Sequence, residues 1–91
     1  MENNFKEFQE KADLLKVLAH PVRLCIVKGL LEKKDCNVTN MQDCLDIPQS
    51  TISQHLQKLK SAGIIEGERK GVEIFYRVVD KRVETLIKAL E

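Results

Sequence analysis

The hydrophobic period of this chain changes at Gly63 and changes back at Asp80. Before Gly63 the apolar residues recur at helical spacing, from Ile64 to Val78 they follow strand patterning, and beyond Asp80 the helical period returns. Phe5, Phe8, Ala12, Leu15 and Ala19, with Leu14 and Leu18 alongside, predict a first helix that stops before His20. The residue preceding Pro21 is pushed out of the α region, and Pro21 suits the first turn of a second helix. "PVRLCIVKGLL" is apolar almost all round and reads as the buried central helix. Thr39 and Gln42 have capping-box spacing and predict a short third helix with Met41, Cys44 and Leu45 inward, broken by "DIP".

A fourth helix is predicted from Pro48 or Gln49 to Ala62, with Ile52, Leu56 and Leu59 inward and Gly63 supplying the stop. The turn between the third and fourth helices is about four residues, which is helix-turn-helix spacing. Ile64–Ile65 is then a short strand, and Val72, Ile74, Tyr76 and Val78 alternate as a half-buried one. "EGERKG" joins the two, placing Arg69 and Lys70 at a hairpin tip between Gly67 and Gly71. Asp80 opens a last helix with Val83, Leu86, Ile87 and Leu90 on one face. The expected fold is mainly α with a small β-hairpin, in the order ααααββα.

With 91 residues the chain is one domain, and 43% hydrophobic with 32% charged residues is the composition of a folded protein. No apolar run approaches the ~20 residues that cross a bilayer, and "MENNFKEFQEK" is not a signal peptide, so a cytoplasmic protein without a membrane partner is expected. Three cysteines without a secretory context argue against a disulfide framework. The formal net charge is only +1, but Gln49 to Arg82 carries seven cationic against four acidic side chains. A solvated charged surface explains so small an excess equally well. No carboxylate pair, nucleophile–base arrangement or phosphate-cradling Gly loop points to an enzyme, and no cofactor is implied.

The fourth helix carries the chemistry. With Ile52, Leu56 and Leu59 buried, a rotation of about 100° per residue sends Ser50, Ser53, Gln54, Gln57 and Ser61 to the opposite side. These side chains donate and accept, as base edges and phosphates require, and an α-helix fits the B-DNA major groove. A solvated Ser/Gln surface is the plain alternative for the helix alone. The preceding helix and the basic hairpin, whose Arg69 and Lys70 could reach backbone or minor groove, favour winged-helix binding to double-stranded DNA. His55 lies at the flank of the buried stripe, where a structural role is as good a reading as a base contact.

The segments "LLKVLAHPVRLCIV", "PQSTISQHLQKLKSAGII" and "KGVEIFYRV" together resemble the ArsR/SmtB family of bacterial winged-helix repressors over essentially the whole chain. The resemblance implies a homodimer that binds a pseudo-palindromic operator and represses. It implies residues 1–19 and 80–91 as dimerisation helices, 39–62 as the helix-turn-helix and 64–78 as the wing. It also implies DNA contacts from Gln49, Ser50, Thr51, Ser53, Gln54 and His55 of the 49–62 helix, and from Arg69 and Lys70 of the 66–71 wing. The apolar surplus of the first and last helices supports pairing across a two-fold axis independently.

Family members that release DNA on binding soft metals use a Cys-x-Cys pair; the matching residues here are Asn37 and Thr39. Members that bind zinc or nickel on the last helix use His and acidic ligands; here Asp80 remains, but Arg82, Thr85 and Lys88 fill the other positions. No standard metal site is expected. Cys25, Cys36 and Cys44 leave thiol or redox control open, since the last helix has no cysteine to complete the family's usual pair. The other readings are structural thiols, a metal- or metalloid-responsive repressor with an unusual cysteine site, and a winged helix used as a protein-interaction module.

Overall fold

The computed structural model describes residues 2–33, 36–37, 41 and 45–91, with the side chains of Glu2, Asn3, Lys33 and Cys36 outside that description. Helix α1 (Glu2–Leu18) ends just before His20–Pro21, and α2 (Pro21–Lys33) takes proline as its first residue. His20 caps α2: its Nδ1 accepts from the Val22 amide at 3.2 Å, and its carbonyl accepts from Leu24. Helix α3 (Gln49–Ser61) ends in a paired hydrogen-bond closure. Gly63, at φ 76°, donates to Lys60, and Ile64 donates to Leu59. The left-handed residue is tolerated because glycine has no Cβ, and the closure brings the fully buried Leu59 and Ile64 together. Helix α4 (Lys81–Ala89) is capped by Asp80, which accepts from the Arg82 amide at 2.9 Å.

The β element is larger than the sequence predicted. Strand β2 runs Ile65–Lys70 and β3 runs Glu73–Val78, so "EGERK" is strand and not loop. The turn is only Gly71–Val72, with positive φ at Gly71 alone, the type II′ pattern that matches strand twist. Gly and charged residues are poor strand formers, which is why the segment reads as a loop. Cross-strand partners override that preference: Arg77 pairs with Glu66 at 2.7 Å and approaches Glu68 at 3.8 Å. Val72, expected in the half-buried alternation, is instead 95% exposed at the turn. A further short strand, β1 (Cys36–Asn37), pairs antiparallel with β3 and gives the sheet order β1-β3-β2. Two residues carry no periodicity, so only the tertiary pairing reveals it.

Leu18 of α1, Ile26, Val27 and Leu30 of α2, Ile52, Leu56 and Leu59 of α3, Ile64 and Ile65, and Val83 and Ile87 of α4 form one core. Helix α3 packs on α1, α2 and β2, so its pitch is set by the helical body and the sheet together. The last helix is better covered than its sequence suggests: Val83 and Ile87 are buried within the chain, and Leu90 alone of its apolar face lies open. The first helix is the reverse. Phe5, Phe8 and Leu15 are each more than half exposed, and among the described residues α1 joins the core through Leu14, Val17 and Leu18. Of the expected third helix, Met41 and Leu45 are helical and Met41 is buried, and Asp46 leaves the helix at φ 55°. Thr39, Gln42 and Cys44 lie outside the described residues.

Gly67 sits in mid-strand beneath the side chains that cross from β3. A Cβ there would lie 2.8 Å from Ile74 Cγ2 and 3.0 Å from Tyr76 Cε1. Neither neighbour is the loose end of a flexible chain, so Gly67→Ala is expected to lower unfolding stability by about 1–3 kcal/mol through overpacking. Urea denaturation checks this, and an unchanged midpoint would show that the Tyr76 ring yields freely.

Candidate nucleic-acid interface

Burial of Ile52, Leu56 and Leu59 decides what α3 shows to the outside. Gln49, Ser50, Ser53, Gln54 and Gln57 are exposed, whereas Thr51 and His55 are half-buried on the flanks of the stripe. The helix contains no acidic residue, and its only charges, Lys58 and Lys60, stand in the last turn. Gln57 and Ser61 are within hydrogen-bond reach of each other at 3.4 Å. The uncharged, exposed polar side chains that are left free are thereby concentrated in the first two turns. At the start of α3, Pro48 has no side-chain acceptor to offer, and the first-turn amides carry no side-chain cap. An uncapped N-terminus presents positive dipole and N–H groups suited to a phosphate oxygen.

A groove of about 260 Å³ separates this end of α3 from the wing. Gln49 and Ser53 line one wall, Val72, Ile74 and Tyr76 the other, and Asn37 and Glu73 close it. The Asn37 amide donates to Glu73 at 2.7 Å, so a side-chain bond adds to the backbone pairing of β1 with β3 near the turn end of the wing.

Arg69 and Lys70 are not at the turn but at the end of β2, opposite Ile74 and Glu73. Consecutive strand residues face opposite sides, so the two cations diverge. Arg69 shares its face with Ile74 and Tyr76, the face that lines the groove. Lys70 stands on the other side, with its Nζ 5.0 Å from the Phe75 ring centroid and 4.0 Å from Glu68. That outer face also carries Glu66, Glu73 and Arg77, so its charge is mixed.

His55 turns inward. Its Nδ1 accepts from Arg23 Nε at 3.1 Å, and its ring lies 4.5 Å from that of His20. Burial, then His20 and Arg23, push its pKa below the ordinary histidine value. The same guanidinium donates through Nη1 to the Val17 carbonyl at 3.1 Å. Sequence reading left His55 between two roles and gave Arg23 none. The one available signal was Arg23's place beside His20–Pro21, and nothing in the sequence sets it opposite a residue 32 positions away.

Cys25 is exposed on α2, Cys36 contributes its backbone to β1, and Cys44 is outside the described residues. Asp80 is held by Arg82, whose Nε and Nη2 donate at 3.1 and 2.7 Å; that hydrogen bond, against a small burial cost, keeps the carboxyl below its usual pKa. Among the described residues no three His, Cys, Asp or Glu side chains converge on one point.

A helix-turn-helix domain model matches residues 18–68. The transcriptional repressor PagR of Bacillus anthracis is 42% identical over 94% of this chain and 86% of its own length. Its crystal structure superposes with a TM-score of 0.86, covering 96% of this chain and 99% of that one at 41% identity. The HTH-type transcriptional repressor SmtB of Mycobacterium tuberculosis is 44% identical over 82% of this chain but only 55% of its own. The structure of the transcriptional repressor BigR from Xylella fastidiosa gives a TM-score of 0.87 at 39% identity, covering 98% of this chain and 90% of that one.

Proposed function

The chain belongs to the ArsR/SmtB family of winged helix-turn-helix transcriptional regulators, and on that footing we propose that it is a dimeric repressor reading an operator through α3. It is a DNA-binding regulator and not an enzyme. The observation that carries the reading is the first two turns of α3. Exposed Gln49, Ser50, Ser53 and Gln54 stand there, unmixed with acidic side chains, beside an uncapped helix start and the groove that separates it from the wing.

Within this arrangement the roles divide by chemistry. Ser53 and Gln54 project from the helix centre and take base edges, where a side-chain amide can bind adenine through two hydrogen bonds. Gln49, Ser50 and the first-turn amides take phosphate. Arg69, on the sheet face of Ile74 and Tyr76, reaches backbone from the wing, while Lys70, on the outer face, adds only to the local field. His55 takes no base; it faces Arg23 and supports the helix from behind.

Dimerisation follows from what one chain leaves uncovered. Phe5, Phe8 and Leu15 of α1 and Leu90 of α4 are open, and a hollow of about 330 Å³ between α2 and α4 is lined by Leu24, Ile87 and Leu90. A second copy would cover these faces and set two α3 helices about 34 Å apart, one turn of DNA. No helix among the described residues is long and apolar enough to cross a membrane, and we place the protein with the DNA in the cytoplasm.

Selection from a randomised duplex pool gives the probe, and fluorescence anisotropy on the enriched duplex gives affinity. Gln54→Ala or Ser53→Ala should cost about 1–3 kcal/mol on that duplex and relax preference at one base pair. Arg69→Ala should weaken enriched and unrelated duplexes alike and flatten the salt slope. Failure to enrich any duplex, or binding indifferent to salt, would favour a protein-interaction module instead. Phe8→Asp should shift the chain from dimer to monomer in sedimentation equilibrium; a wild type that sediments as a monomer removes the paired-helix arrangement.

A further inference from the structure

Arg23 joins three helices through one planar group. It extends from α2, donates to the Val17 carbonyl in the last turn of α1, and donates to His55 on the inner flank of α3. A cation at the end of α1 also meets the negative end of that helix's dipole. Both histidines of the chain lie in this cluster. Each accepts at Nδ1, His20 from the Val22 amide and His55 from Arg23, so the neutral His55 ring carries its proton on Nε2. The guanidinium does not lose its proton at any ordinary pH. Whether the Arg23–His55 bond exists therefore depends on His55 alone.

Given that α3 is the reading helix, we propose that Arg23 and His55 are positioning residues that hold α3 at its reading pitch, and that adding a proton to His55 releases the helix and the DNA.

A proton on Nδ1 converts the acceptor into a donor facing a second donor, and places a cation beside a guanidinium. The charged or titratable groups acting on His55 are Arg23 from α2 and His20 from the α1–α2 junction; α1 itself offers only the neutral Val17 carbonyl, which Arg23 occupies. Among the described residues no acidic side chain compensates in the cluster. Consistent with this, burial first, then His20 and Arg23, favour the neutral ring. A group whose folded-state pKa lies below its unfolded value supports the fold above about 6.5, and that support is lost as pH falls through the folded value. A reading head tolerates a displacement of only about 0.5 Å before its hydrogen bonds degrade, so the loss appears in operator affinity before it appears in global unfolding.

The sign of the pH effect separates this role from a direct contact. A histidine touching phosphate or a base acceptor binds DNA more tightly when protonated, because it adds a positive charge. A histidine that holds the helix from behind does the opposite. On the enriched duplex, affinity of the wild type is expected to fall about tenfold from roughly pH 7.5 to 5.5. His55→Asn keeps an acceptor near the place of Nδ1 but takes no proton. It is expected to bind a few-fold more weakly at the higher pH and to show no pH slope. Arg23→Met should weaken binding at the higher pH while keeping its helical circular dichroism, and Arg23→Lys should restore part of the loss.

A wild type that binds more tightly as pH falls, or an identical slope in His55→Asn, overturns the positioning role and leaves the DNA-reading assignment standing. A wild type that binds no duplex at any pH overturns both. If His55→Asn fails to fold, Arg23→Met decides: folded, with wild-type affinity and slope, it removes the proposal.

Discussion

Everything on the outer surface of this protein depends on three buried side chains. Ile52, Leu56 and Leu59 are at most 2% exposed and pack with Val27, Leu30 and Ile64. Fully burying one such side chain is worth about 1.5–3 kcal/mol, so no rotation of α3 that exposes the stripe competes. That constraint turns Ser50, Ser53 and Gln54 outward and Thr51 and His55 to the flanks. The closure at Gly63 transmits the same constraint to the wing, because Ile64 is buried beside Leu59 and starts the chain into β2. Helix and wing thus take their relative placement from one patch of core.

The wing is built against local preference. Its first strand consists of residues that avoid strands, and it forms because β3 supplies an apolar, aromatic and cationic partner for nearly every position. Tyr76 and Ile74 cover Gly67, Arg77 bridges Glu66 and Glu68, and Phe75 receives Lys70. Its consequence for recognition is a separation of charges. Arg69 shares a sheet face with Ile74 and Tyr76, which line the groove beside α3, and Lys70 belongs to the other face, where charges are mixed.

The two ends of the chain differ in how far the single chain satisfies them. Helix α4 buries half of its apolar face internally, while α1 extends with its aromatic residues uncovered, which makes α1 the element most in need of a second copy. Inside, the Arg23 cluster links the end of α1 to the back of α3. Whatever seats α1 in the proposed dimer therefore bears on the helix proposed to read DNA, through Val17, Arg23 and His55.

The positions of α1, α2, α3 and α4, the cap at Asp80, the stop at Gly63 and the polar face of α3 were all readable from the sequence. Each rests on interactions within a few residues, and those are written in local spacing and residue type. The family could be read as well, from three segments that together span most of the chain. The tertiary structure decided the rest. The extent of β2, the existence of β1, the opposite facing of Arg69 and Lys70, the burial of Val83 and Ile87, and the Arg23–His55 contact all join residues distant in sequence. Their energy comes from partners that local pattern does not contain, and only the packed core brings those partners within reach.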